Sequence, residues 1–254
     1  MEAPSIRLLA AEQASFLEFG AFLAARPYLG WVPRGEPRPV LVLPGFTADD
    51  RSTAPLRRFL RDCGHWAHGW QQGRNMGPTA RALSEMRRRL AALHELHQAR
   101  VTVVGWSLGG VYARELARET PAHVRQVITL AAPFRLTRDD QTVVSPLWKR
   151  WARFHAEPSE WWNEHRRLPL TVPSTAIYTR TDGIVPWASC IEAEGAQRES
   201  IEVYGSHSGL GFNVAALIAV ADRLAQPDNE WRPFRPPPWL SYLYPRPARA
   251  DAAA

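Results

Sequence analysis

Residues 100–119 read RVTVVGWSLGGVYARELARE, and this stretch decides the fold. Val101 to Val104 form a β-branched run of the kind buried in a parallel sheet, whereas VYARELARE has helical spacing. Between them lies Gly105-Trp106-Ser107-Leu108-Gly109, a serine at the reversal from strand to helix with a glycine two residues to either side. So tight a reversal strains the serine backbone, and the glycines remove side chains that would collide with the neighbouring strand and helix. The strain holds the Ser107 hydroxyl exposed at the carboxyl end of the sheet, where open α/β sheets bind ligands. The helix that follows offers free amides and a partial positive charge to a developing oxyanion.

Outward from this point the pattern alternates. Upstream, PVLVLPGF at 39–46 is a short apolar strand ending in Pro-Gly, and STAPLRRFLRD at 52–62 is helical, with Ser52 or Thr53 able to cap it. GHWAHGW at 64–70 reads as a second strand. GRNMGPT is a loop, and residues 79–98 form an amphipathic helix with Leu83, Met86, Leu90, Leu93 and Leu96 on related faces. Downstream, RQVITLAAPF, TAIYTRTDG and SIEVYGSH are strands, and Leu210 to Leu224 is a closing helix. Strands alternating with helices predict an α/β domain, with a mainly parallel sheet of about six strands covered on both faces.

Three parts stand outside the rhythm. Residues 14–31, ASFLEFGAFLAARPYLGW, lie within an N-terminal segment (1–38) expected to pack on the domain at 39–230, a membrane anchor being the other reading. The insertion at 134–170 is rich in Trp, Arg and Pro, and its size predicts a functional element or a small helical cap. From 231 to 254 the chain is a proline-rich tail.

The chain has 254 residues, enough for one domain with a single core. Its +6 charge is carried by arginine, with Lys149 the one lysine. Solvated helix faces such as Arg87-Arg88-Arg89 account for this charge, so no nucleic acid is expected; contact with nucleic acid or an anionic lipid surface is the alternative. Eleven tryptophans favour a greasy surface near a ligand or lipid. Cys63 and Cys190 are too few to define a disulfide framework, and a reducing compartment fits them, a single bridge being the alternative. The N-terminus lacks a charged-then-apolar leader pattern, and no run reaches about 18 apolar residues. A cytoplasmic protein is the expectation.

A serine hydroxyl needs a base to take its proton. Of the eight histidines, only His207, in Tyr204-Gly205-Ser206-His207-Ser208-Gly209-Leu210, falls in the loop after the last strand, at the sheet edge of Ser107. Small residues on both sides of it permit close approach. An imidazole so used needs a carboxylate to fix its tautomer, and Asp182, opening Asp182-Gly183-Ile184-Val185-Pro186 after its strand, is the candidate. Asp139 and Asp140 are the rival pair. Two amides must hold the oxyanion: Leu108 after the serine, and Phe46 in the loop after the first strand, where Gly45 leaves room. Phe46, Trp106, Phe134, Val185 and Leu210 flank these motifs and are the candidate substrate contacts.

The pieces LVLPGF, VTVVGWSLGG, VITLAAPF, YTRTDGIVPW and GSHSGL, spread over about 39–224, together resemble bacterial lipases and esterases of the α/β-hydrolase superfamily. The resemblance implies the α/β-hydrolase fold in a minimal form lacking its first two strands. It carries the nucleophile to Ser107, the acid to Asp182, the base to His207 and the oxyanion amides to Phe46 and Leu108. Pro44-Gly45 stands where many relatives have His-Gly, so a helper histidine is missing there. Some such lipases bind calcium near the histidine; no acidic cluster surrounds His207, so no metal and no cofactor are expected. The cap aromatics Phe134, Trp148, Trp151, Phe154, Trp161 and Trp162 either line an acyl pocket or pack on the sheet. The implied activity is carboxylic-ester hydrolysis of a small-molecule ester or lipid. Acyl transfer or thioester hydrolysis by the same residues, and a non-catalytic lipid-binding protein on this scaffold, are the alternatives.

Overall fold

The computed structural model describes residues 1–137, 139–156, 168–228 and 230–248. Six strands, β1 (Pro39–Leu43), β2 (Trp66–Gly69), β3 (Val101–Trp106), β4 (Val124–Leu130), β5 (Ser174–Tyr178) and β6 (Arg198–Glu202), form one sheet in the order β2-β1-β3-β4-β5-β6. Every pairing is parallel, so every strand needs a crossover. This is the doubly covered, parallel α/β architecture that the alternating pattern predicts.

Alternate residues of each strand feed opposite layers. Val40, Val42, Val104, Ile128, Leu130 and Ile177 face a core shared with α3 (Ala54–Asp62) and the last helix (Val214–Ala225). Leu41, Leu43, Val101, Val103, Val127 and Ala176 face α4 (Ala80–His97) and α5 (Leu108–Glu119). Both faces being apolar is why the strands read as continuous hydrophobic runs rather than alternating ones.

Thr79 caps α4 by accepting the Ala82 amide at 3.1 Å. At α3, however, neither Ser52 nor Thr53 caps: each hydroxyl donates instead to a carbonyl of the preceding turn, at Asp49 and Asp50. In α4 the buried stripe is Ala82, Met86, Leu90 and Leu93, while Leu96 is exposed.

The N-terminal segment forms α1 (Ile6–Ala11), α2 (Ala14–Ala25) and a 3-10 turn at Arg26–Trp31, and Phe22, Leu29 and Val32 anchor it in the first core layer. Taken together, Ile6–Trp31 is long and apolar enough to cross a membrane, contrary to the expectation from uninterrupted apolar runs. Counting runs fails here because a few polar residues, Glu12, Gln13, Ser15 and Glu18, break the string without making the segment polar. In the 134–170 insertion, α6 (Ser145–Trp151) and a 3-10 turn at Ala152–Phe154 are helical as expected, and Trp161 and Trp162 lie outside the described residues. The closing helix is α7 (Val214–Ala225), capped by the Asn213 side chain. Cys63 and Cys190 are both buried and unbridged.

Candidate active site

Ser107 sits between β3 and α5 with φ 53° and ψ −124°, a conformation that a non-glycine residue adopts only where its surroundings enforce it. Its amide donates to the Leu130 carbonyl at 2.8 Å, so the strand ladder holds it to its last residue. The glycines around it are required by close approach. A Cβ on Gly105 would lie 2.2 Å from the Gly109 carbonyl oxygen, one on Gly109 2.2 Å from the Leu43 oxygen, and one on Gly110 2.4 Å from Ala132 Cβ. Helix, strand and turn therefore meet with no room for side chains, and the hydroxyl is left facing outward.

The histidine and aspartate meet at this sheet edge. His207 Nδ1 is 2.7 Å from Asp182 Oδ2, and both side chains are buried. The other carboxylate oxygen of Asp182 accepts the amides of Ile184 and Val185, each at 2.8 Å. That division leaves Oδ2 for the imidazole alone, and Nε2 faces away from Asp182. Burial works against the charged form of His207, but the Asp182 carboxylate, with Glu12 behind it, outweighs burial and raises its pKa. Asp140, one of the rival acids, accepts the Thr137 amide and does not reach His207. The remaining described histidines lie elsewhere: His68 with His97, His94 with His123, His155 on the Met76 carbonyl, and His65 in the core.

Two residues that the sequence reading missed hold this loop from the N-terminal segment. Glu12 is buried, and its carboxylate accepts three backbone amides: Gly183 at 2.8 Å, His207 at 2.9 Å and Ser208 at 2.8 Å. It thus bridges the aspartate loop and the histidine loop. Glu18 accepts the amide and hydroxyl of Ser206 and the side-chain amide of Asn213. The small residues beside His207 have a different purpose from the one expected. A Cβ on Gly205 or Gly209 would press on the Glu18 carboxylate, at 2.7 and 2.3 Å, and one on Gly183 would lie 2.3 Å from the Leu8 carbonyl oxygen. They admit the N-terminal helices rather than the nucleophile. Nothing local marks Glu12 or Glu18; the nearest signal is an acid in an otherwise apolar segment.

On the other side of Ser107, the loop Pro44–Ala48 carries Phe46. A Cβ on Gly45 would lie 3.1 Å from Ser107 Cβ, so this loop runs against the serine. Asn75, fully buried, fixes it: its side chain donates to the Pro44 carbonyl at 2.9 Å and accepts from Tyr112, while its backbone exchanges bonds with Thr47 and Ala48. Thr47 takes φ 65° to make the turn. Among the described residues, neither the Phe46 amide nor the Leu108 amide donates to another protein group. Asn75 is a third omission of the sequence reading, visible only as a polar residue in the Gly-flanked loop GRNMGPT.

Ser107 opens into a cleft of about 780 Å³, counted out to solvent, whose wall includes Phe46, Leu108, Val111, Val144, Trp148 and Val185. Trp148 packs edge-on to Phe46 with ring centroids 5.3 Å apart, so part of the insertion does form the wall. Of the expected substrate contacts, Phe46 and Val185 line the cleft and three do not. Trp106 is buried, its indole N–H donating to the His207 carbonyl at 2.9 Å, because Gly211 lets the ring lie under the histidine loop. Phe134 is buried beneath the Arg114 guanidinium, 3.9 Å away, and Leu210 is fully enclosed in the core. Trp151 and Phe154 pack on each other instead of entering the cleft. No group of three or more ligating side chains able to hold a metal occurs among the described residues.

A family model for the alpha/beta hydrolase fold matches residues 43–159. Among solved structures, Aspergillus fumigatus lipase B is 18% identical with TM-score 0.57, over 76% of this chain and 54% of that one. The chain therefore spans about half the length of that lipase. A Pyrobaculum calidifontis esterase is 11% identical with TM-score 0.57, covering 86% of this chain and 92% of the other. A Paleococcus ferrophilus monoacylglycerol lipase is 13% identical with TM-score 0.53, covering 76% and 96%. No curated protein matches the sequence. Sheet order, strand–turn–helix serine and family match together give the chain the α/β-hydrolase fold.

Proposed function

We propose that the chain is a serine-dependent carboxylic-ester hydrolase. The observation that carries this reading is the strained Ser107 at the head of α5, opening into an apolar cleft at the same sheet edge as a buried His207–Asp182 pair. Ser107 Oγ attacks the ester carbonyl as its proton passes to His207 Nε2, and the developing imidazolium is stabilised by Asp182. The amides of Phe46 and Leu108, which have no other acceptor among the described residues, receive the oxyanion. His207 then gives the proton to the departing alcohol, leaving an acyl group on Ser107. Water, deprotonated by His207, releases the acid and restores the serine. The apolar wall of Phe46, Val111, Val144, Trp148 and Val185 suits an acyl chain.

Hydrolysis of p-nitrophenyl butyrate by the wild type and by Ser107→Ala tests the reading. The wild type should turn over, and the variant should lose at least about a thousandfold in kcat. Equal activity in both would mean that another residue is the nucleophile. No activity in either would remove ester hydrolysis as the function.

A further inference from the structure

Helix α2 is built inside out. Phe16, Gly20, Leu23 and Ala24, spaced i, i+4, i+7, i+8, share one face with Leu17, and that face points to solvent. Phe16, Leu17 and Leu23 are 74, 78 and 54% exposed. The inward face carries Phe22 and the one charge of the helix, Glu18, which is bound to Ser206 and Asn213. A helix on a water-facing surface has the opposite arrangement. Ile6 on α1 is exposed as well, and Tyr28 and Trp31 prolong the apolar face beyond α2. There the C-terminal tail joins it: Trp31 packs on Trp239 with ring centroids 5.8 Å apart, and Tyr242 lies exposed in the same 3-10 turn as Trp239. Continuous exposed apolar surface of this kind marks an interaction site.

We infer that this face, made by the N-terminal helices and the Trp239 turn, docks on the surface of an anionic lipid bilayer. The composition of the patch favours lipid over a second copy of the chain. Tyr and Trp rings, apolar in body and polar at one atom, edge the aliphatic face, as at a bilayer interface. Arg7, Arg34, Arg232 and Arg235 are exposed on the same two segments. Of the exposed acids there, Glu36 is paired with Arg38 and Glu230 with Arg232, and Glu2 stands against Arg7, Arg34 and Arg235. Two copies meeting here would bring like charge together on chains that are each +6, whereas an anionic headgroup layer neutralises it. The arrangement is that of a helix lying in the interface plane: Glu12 and Glu18 remain bound to the domain below while the outer face enters the acyl boundary. This inference does not depend on the chemistry of Ser107.

Co-sedimentation of the full chain with phosphatidylcholine vesicles, with and without phosphatidylglycerol, is the test, combined with light scattering of the protein alone. The wild type and Ser107→Ala should pellet alike with the anionic vesicles and more weakly with the neutral ones. Leu17→Asp combined with Leu23→Asp should weaken binding by about tenfold or more, since both side chains lose their buried position in lipid. Both positions are exposed in the folded protein, so an unchanged thermal midpoint accompanies that result. Wild-type protein left in the supernatant with both kinds of vesicle would overturn the inference. So would variant binding equal to wild type, or a wild-type dimer that the double variant converts to monomer.

Discussion

The two loops that face each other across the candidate site are held in different ways. The serine turn is held by its own neighbours: β3, the start of α5, and the ends of β1 and β4 approach so closely that Gly105, Gly109 and Gly110 have no room for a side chain. The histidine loop touches the sheet through the Trp106 indole beneath it and is otherwise held by hydrogen bonds from outside the sheet. It is tied to the aspartate loop by Thr179 and Thr181, which both donate to the Gly205 carbonyl, and to the N-terminal helices by Glu12 and Glu18. One half of the site is sterically built from the sheet itself, and the other depends largely on carboxylates from the N-terminal helices. Steric support should fail all at once, and carboxylate support by degrees.

The largest effect should come from the steric side. Gly109→Ala places a carbon 2.2 Å from the Leu43 carbonyl oxygen, a backbone atom that cannot yield without moving β1. The expected cost is at least about 3 kcal/mol, read as a drop of roughly 6–12 °C in Tm or as insoluble protein. Asn75→Ala comes next, because it strips partners from the Pro44 carbonyl, the Gly77 amide and the Tyr112 hydroxyl together. It should cost about 2–3 kcal/mol of stability and about tenfold or more in kcat with little change in KM, as the loop bearing Phe46 loosens.

The carboxylate side should answer in a graded manner. Glu12→Gln keeps the shape but offers one acceptor oxygen where three amides converge, and kcat/KM should fall about tenfold. Its diagnostic is the pH profile. Activity needs the neutral imidazole, so the acid limb lies at the raised pKa of His207, above the ordinary 6.5, and activity grows as pH rises through it. Burial lowers that pKa while Asp182 and then Glu12 raise it, so removing the Glu12 charge should move the limb to lower pH. A limb that stays in place would reduce Glu12 to a scaffold residue. The smallest effect is expected at Gly20→Ala, where a Cβ on the outer face of α2 meets nothing within 4 Å. It should stabilise the protein by about 0.5–1 kcal/mol through helix propensity, with the rate unchanged.

The same contrast explains what could be read from the sequence. The serine turn was legible because the residues that shape it are neighbours in the chain, and the strand pattern around it placed His207 and Asp182 at the same edge. Glu12, Glu18 and Asn75 acquire their partners only when distant segments meet; Glu12 lies 195 positions from His207. The glycines beside His207 were visible, but what they accommodate was not. Likewise Phe134 and Leu210 adjoin the motifs in sequence yet turn into the core, since the residue after a strand can face either side. The cleft wall comes instead from Val111 on α5 and from Val144 and Trp148 in the insertion, and their approach is a matter of packing.

The two thiols, finally, turn these two regions into separately observable events. Cys63 lies in the core layer that Phe22, Leu29 and Val32 of the N-terminal segment close, and burial pushes its pKa up to about 11. Cys190 is enclosed on the far side, in a cluster with Tyr178, Val185 and Ile191, and burial, with the Asp182 charge nearby, raises its pKa well above the ordinary value. Burial and a raised pKa both slow their reaction with an alkylating reagent while the fold is closed. Each therefore serves as a timer for one kind of opening: Cys63 for release of the N-terminal helices, Cys190 for disruption around the aspartate loop. The chain carries two native probes of local unfolding, with no label to be introduced.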